Sequence, residues 1–371
     1  MQQSFVRFNT QDRPEFYKEL RKRVNTYFKE TGKSRYGNYE MVLKTVFMLA
    51  LYLLPWCAMV FGWVDSFWPM IVMWILMGFG MSGIGMGVMH DANHGSYSKN
   101  PKVNYIMGFL VHLVGGSQLN WKIQHNVLHH SFTNVEGHDE DIDVNVMRFS
   151  PSQKRRGIFK FQAFYAPFLY GLMTISWLFF KDFKQLGSYA DRGLLATQGQ
   201  TPRKAWTFMI AQKTLYTFFT LGIPMIFVDL PWWQVFIGFL TMMYVCGLLL
   251  AMIFQPAHVL SETEFVKLAP GEQTVQDSWA IHQLKTTANF ARRSVFLSWF
   301  IGGLNYQIEH HLFPNICHIH YPKLAPIVKR TAEEFGIPYH EHETFAHALR
   351  SHFRLLHQFG TGAYDRQLAQ G

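Results

Sequence analysis

The chain has 371 residues, of which 49% are hydrophobic and 16% aromatic, more apolar surface than a single core of this size needs. Its mean hydropathy is close to zero, yet long apolar runs alternate with stretches crowded with Lys, Arg and His, so an evenly soluble globule is excluded. The formal net charge of +9 sits in segments flanking those runs, which suits anionic headgroups or an acidic electron-transfer partner and not nucleic acid. Cys57, Cys246 and Cys317 are scattered and odd in number, so they read as structural thiols and not as a disulfide framework.

In chain order, residues 1–44 are polar and do not resemble a signal peptide. Apolar blocks follow at 45–62 and 67–89, then at 205–228 and 232–254, each long enough to cross about 30 Å of hydrocarbon. The short connectors around Asp65 and Asp229 contain no Lys or Arg, whereas residues 1–44 contain ten and 90–204 thirteen. The positive-inside rule therefore places both termini and the central segment in the cytoplasm. The expected fold is an all-α integral membrane protein with four transmembrane helices in two hairpins and a cytosolic helical cap holding a two-metal site. It forms one domain over 1–371: an N-terminal segment 1–44, hairpins 45–89 and 205–254, and cap segments 90–204 and 255–371. Residues 105–116 are too few to span and dip into the bilayer or pack under the cap. The run 158–180, interrupted by Lys160 and Pro167 and flanked by basic residues, reads as an interfacial helix. Residues 290–313 read as a helix docked on the metal site.

Of 18 histidines, seven fall in three groups: His90 and His94; His125, His129 and His130; His310 and His311. Helical residues four apart share a face, so His90 with His94 and His125 with His129 have the spacing of metal ligands. Neutral imidazole suits iron, zinc and copper, and seven histidines exceed the four ligands of one tetrahedral zinc, so two metals are the simpler account. His258, at the cytoplasmic end of the fourth block, is the best additional ligand, because an ionisable group there is costly without a partner or a role. Asp91 and Glu309 lie beside the groups as carboxylates that can orient ligand imidazoles. The run from His138 through Asp139, Glu140 and Asp141 to Asp143 reads equally well as a solvated acidic loop.

Three stretches carry a family resemblance: His90-Asp91-Ala92-Asn93-His94-Gly95; His125-Asn126-Val127-Leu128-His129-His130; and Gly302-Gly303-Leu304-Asn305-Tyr306-Gln307-Ile308-Glu309-His310-His311-Leu312-Phe313-Pro314. In order and spacing they resemble the membrane fatty acid desaturases over roughly 45–322. The resemblance implies a mushroom-shaped four-span protein whose cap holds two Fe ions, with His90, His94, His125, His129, His130, His258, His310 and His311 as ligands. It implies that O2 is activated with two supplied electrons and that two adjacent methylenes of an acyl chain become a cis double bond.

Gln307 departs from the histidine that most desaturases carry at that place and resembles the front-end subgroup with Δ6 and Δ5 enzymes; its oxygen can ligate a metal or hold a water. The His-Pro-Gly-Gly haem motif of that subgroup's fused cytochrome b5 domain is not present in this sequence. The resemblance thus implies a separate ferredoxin or cytochrome b5 with its reductase, and a bacterial inner-membrane enzyme. The substrate is an acyl lipid carried as acyl-CoA, on acyl carrier protein or in a glycerolipid, and Trp121, Gln283 and Thr287 are candidate contacts to it. Two other functions compete: fatty-acyl or sphingolipid hydroxylation on the same two-iron scaffold, and a non-catalytic membrane metal transporter. The transporter needs polar groups inside the spans, and here the histidines gather outside the apolar blocks.

Overall fold

The computed structural model describes residues 6–369; the outermost residues of the two terminal segments, 1–5 and 370–371, lie outside the described residues. The chain is mostly helical and divides into two compact units, one of Met1–Tyr36, Gln124–Ala166 and Met252–Gly371, the other of Gly37–Ile123 and Pro167–Ala251.

The second unit carries most of the long apolar helices. Among the described residues three helices are long and apolar enough to cross a membrane, Tyr39–Val60, Phe67–Asn93 and Trp232–His258, and a bent pair brings the candidates to four at most. Asn38 caps the first by accepting the Glu40 amide proton. It exposes Val42, Leu43, Val46, Phe47 and Leu54, a stripe that lipid accommodates and water does not. Its partner approaches closely at Gly80, where a Cβ would stand 2.6 Å from the Tyr52 backbone nitrogen. Trp63, Trp68, Trp232 and Trp233 are exposed at the two short connectors, as an interfacial aromatic belt requires.

The expected block 205–228 is helical as Pro202–Thr217, a π turn Phe218–Gly222 and Ile223–Phe227. Buried Gln212 and Lys213 dilute its hydropathy, and it is not one of the three. The bent pair is Gly157–Gly171 with Met173–Asp191, turning by 62° where 158–180 had suggested one interfacial helix. Residues 105–116 form the end of a helix, Pro101–Phe109, and a 3-10 turn, Leu110–Val114, which reverses at Gly115 with φ 79°. Past the reversal, Asp182 accepts the Ser117 amide at 2.9 Å and pairs with the Lys213 ammonium, while the Asn120 amide donates to the Asp182 carbonyl at 2.7 Å. The Lys213 ammonium also donates to the Gly115 and Trp177 carbonyls, so both members of the buried ion pair have further hydrogen bonds, which such a pair needs to persist, and it seats the helix Gln118–Trp121.

In the first unit the N-terminal helix Pro14–Thr31 buries Phe16, Leu20, Val24 and Phe28, spaced by four, in one cluster with Leu324, Ala325, Val328 and Ala332 of helix Tyr321–Glu334. Two short parallel ladders close it: Arg7–Phe8 with Thr274–Val275, and Ala288–Phe290 with His340–His342. Buried Arg148 donates to the Phe359 carbonyl at 2.9 Å and grips Asp365 with two bonds of 2.8 Å, fastening the last long helix, Phe345–Thr361. The expectation of one helix over 290–313 is corrected. The stretch is a strand end, a helix Val295–Phe300, a turn, and a helix Gln307–Leu312. Gly302 and Gly303 stand at φ 66° and 67°, which ends the first helix and turns the chain so that the next begins at Gln307.

Candidate metal centre

The second histidine group is presented by a π-helix, Lys122–His129, continued by His130–Phe132. The wider turn brings residues five apart together, so His125 and His130 face each other with Nε2 atoms 3.2 Å apart, in addition to the expected pairing of His125 with His129 at 5.4 Å between rings. His130 Nε2 is also 2.9 Å from His310 Nε2. The sequence pattern had suggested only the four-residue spacing of an α-helix.

His258, at the end of helix Trp232–His258, joins His129 and His311: the ring centroids are 4.8 to 5.0 Å apart, and the three offer ligand atoms within 4.8 Å of one another. His130, His310 and His311 form a second such set. All are buried.

What orients these rings is visible atom by atom. His129 Nδ1 donates to the Asp139 carboxylate at 3.1 Å, His258 Nδ1 to the Thr286 carbonyl at 3.2 Å and His311 Nδ1 to Gln283 Oε1 at 2.8 Å. With the proton on Nδ1, the Nε2 of each ring is its remaining ligand atom. His311 Nε2 is buried with no hydrogen-bond partner among the described residues, a costly state for a structural histidine and the expected one for a metal ligand. Burial, and then the neighbouring His130 and His258 imidazoles, hold His311 well below the usual imidazole range, in the neutral form that binds metal. The donor set fits a transition-metal site.

Asp139 is the residue that sequence reasoning undervalued. It is not in a solvated loop; it is 1% exposed and also accepts the Asn134 and Asp141 amides, at 2.9 and 3.0 Å. Asn134 adopts φ 56°, a left-handed conformation that Asn tolerates, and its side chain donates to the carbonyls of His258 and Glu264. That turn brings the acidic run back onto His129. The signal was present in Asn134 and Gly137 as turn formers just past the second group.

Other expected residues have different partners. Glu309 was expected to orient an imidazole; its carboxylate instead takes the Asn289 amide at 2.8 Å and the Tyr339 hydroxyl at 2.9 Å, and burial raises it to about 7 against those bonds. Gln283 was expected to touch substrate but is spent on protein: besides His311 it reaches the His130 carbonyl at 3.3 Å. Thr287 turns its hydroxyl to the Gln283 carbonyl. Gln307 donates its amide to the Leu304 carbonyl at 2.8 Å and its side chain stands beside His258.

In the second unit, His90 and His94 lie on the short helix Met89–Asn93 and its C-cap, following the π turn Ile84–Val88, with rings 4.9 Å apart. Trp121 stands edge-on to both, at 5.5 and 5.6 Å, and Asp91 is buried beside them. Trp121, expected at the substrate, is thus also a wall against the first histidine group.

Comparison with known proteins points to one family. Residues 66–343 match the fatty acid desaturase family. The chain is 36% identical over 96% of its length to a sn-1 linoleoyl-lipid 6-desaturase of Arthrospira platensis, covering 95% of that protein. It is 36% identical over 93% of its length to the enzyme of the same name in Synechocystis sp., covering 95% of it. An acyl-lipid (8-3)-desaturase of Physcomitrium patens is 36% identical over 93% of this chain and is covered to 72%.

Proposed function

This chain belongs to the fatty acid desaturase family, and on that premise we propose that it is an acyl-lipid front-end desaturase, inserting a cis double bond on the carboxyl side of an existing one in a glycerolipid-bound chain. It is a multi-pass membrane protein, which we assign to a bacterial inner membrane with both termini cytoplasmic. The observation that carries the reading is the set of buried imidazoles anchored through Nδ1, with His311 Nε2 left without a hydrogen-bond partner among the described residues.

The proposed ligands in the first unit are His125, His129, His130, His258, His310 and His311, with Gln307 beside them. His90 and His94 are assigned the same role on the family pattern. Two iron ions bound by these groups would supply the activation of O2 that no side chain can provide. The protein's own part is orientation and proton control: Asp139, Gln283 and the Thr286 carbonyl hold three rings in one tautomer, and burial keeps water from competing for their lone pairs. The overall conversion takes two hydrogens from adjacent methylenes, one O2, two electrons and two protons, and yields the alkene and two waters. The electrons come from a separate ferredoxin or cytochrome b5.

Mass spectrometry of lipids from cells expressing the protein tests this. Desaturation removes two mass units from an acyl chain and fragmentation places the new bond; a gain of sixteen identifies a hydroxylase and defeats the proposal. Unchanged lipids with histidine-dependent metal flux would make it a transporter.

A further inference from the structure

The outward face of the N-terminal helix, Pro14–Thr31, has no part in the site so far described. Its inner face is packed against helix Tyr321–Glu334, and Arg23 is committed there to Glu19 and Glu334 at 2.9 and 2.6 Å. The outer face holds an open groove of about 550 Å³ walled by Lys18, Arg21, Lys22, Asn25 and Lys29, with Tyr17 among its lining residues. Four cations and no carboxylate line it. Glu15 and Glu19 stand outside, 3.3 and 3.6 Å from Lys18 and Lys22; exposed pairs of that kind are weak and exchange readily for a better anionic partner.

Under the groove runs a short aromatic path inward. Arg21 lies over the half-buried Tyr17 ring, 5.8 Å from its centre, and the Tyr17 ring meets Trp279 edge-on at 5.5 Å. Trp279 Nε1 donates to the carbonyl of His130 at 3.2 Å. The Tyr17 hydroxyl donates to the carbonyl of Leu312, next to His311, at 3.3 Å. Surface cations are thus joined to two of the proposed ligands through two rings and two hydrogen bonds. Electron tunnelling decays more slowly along such contacts than across a gap.

We propose that this groove is the docking surface for a small acidic one-electron carrier protein, with Tyr17 and Trp279 as the entry for its electrons. The proposal rests on the desaturase reading, because only a redox site uses such a path. A lipid headgroup would be held by the cations alone and leaves the aromatic path without a use. At each docking the reduced carrier loses one electron and the metal site of this protein gains it, so two dockings supply the two electrons of one turnover. Trp279 acts through the backbone of His130 and Tyr17 through that of Leu312, next to His311, so both are positioning residues.

The test uses the full chain in nanodiscs of phosphatidylcholine, with a reduced [2Fe–2S] ferredoxin of strongly negative charge as probe. Reversing the groove in K18E/R21E/K22E/K29E raises the ferredoxin Kd, and the KM for it, by roughly tenfold or more at low salt and flattens their salt dependence. The milder K18Q/K22Q, which perturbs the helix less, shifts both in the same direction. Tyr17→Leu leaves the ferredoxin Kd in place but slows ferredoxin-driven reduction, and Tyr17→Phe, which keeps the ring, restores most of the rate. An unchanged Kd in both groove variants overturns the proposal. So does an effect that occurs only when the nanodiscs contain anionic lipid, which would make the groove a headgroup site. Wild-type protein that forms product with a viologen reductant and is indifferent to groove reversal defeats the docking surface alone; no product with either reductant defeats the desaturase reading.

Discussion

Replacing Asp139 by Asn removes one charge from a side chain that keeps its shape, at a position where three donors converge. His129 Nδ1 lies 3.1 Å from one carboxylate oxygen and 3.2 Å from the other, and the Asn134 and Asp141 amides add bonds of 2.9 and 3.0 Å. A carboxamide has one acceptor oxygen, so its NH2 must face at least one of these donors. A buried donor left unmatched costs about 1–3 kcal/mol. Either His129 keeps its tautomer and a backbone amide loses its partner, or the ring turns and its Nε2 leaves the set formed with His258 and His311. Loss of a carboxylate behind a ligating histidine typically lowers metal affinity about 10- to 100-fold. Asp141 is the internal control, because it stands 3.5 Å from His129 and its side chain is 34% exposed. Metal retained during a chelator titration, measured by ICP-MS on purified protein, is expected to fall much further in D139N than in D141N, with product formation following it. Wild-type metal retention in D139N would refute the role given to this carboxylate.

Three further outcomes are expected. His311→Ala removes the one imidazole common to both histidine sets of the first unit, so metal content and product are lost while membrane insertion, read by fractionation, is unchanged. Burial holds His352, whose Nδ1 donates to the Val259 carbonyl at 2.8 Å, at about 4 and therefore neutral. Because the folded value lies below the unfolded one, stability is lost as pH falls from about 6.5 to 4, on the order of 3 kcal/mol from this group. Melting curves across that range should flatten in H352Q; a loss as steep as in wild type would contradict the assignment. Gly303→Ala places a methyl at φ 67°, 2.9 Å from the His318 Cβ, and should lower stability by about 1–3 kcal/mol with loss of helix Gln307–Leu312 register. An unchanged melting temperature in G303A would count against the strained turn.

The three histidine groups, the apolar blocks and the candidate status of His258 were legible in the sequence because each is a pattern of residue types at fixed spacing. Spacing alone could not show the π-helix at Lys122–His129, since a helix that takes one more residue per turn is stabilised by its tertiary surroundings and not by its own composition. Nor could it separate Asp139 from Glu309. Both are acids near histidines in the sequence, yet the left-handed turn at Asn134 folds one onto His129, while the ladder of Ala288–Phe290 with His340–His342 accompanies the other's bonds to Asn289 and Tyr339. Gln283, placed by sequence among possible substrate contacts, proved to be the acceptor for His311.

The amino-acid order by itself determined what kind of chemistry this protein performs and that it performs it at a membrane, because ligand types and apolar length are local properties. Which nitrogen of each imidazole faces inward, which acid holds it there and which basic face lies over an aromatic path are relations between segments far apart in the chain. Only the tertiary structure decided those, since hydrogen-bond partners are chosen by position in space and burial makes each choice costly to leave unmet.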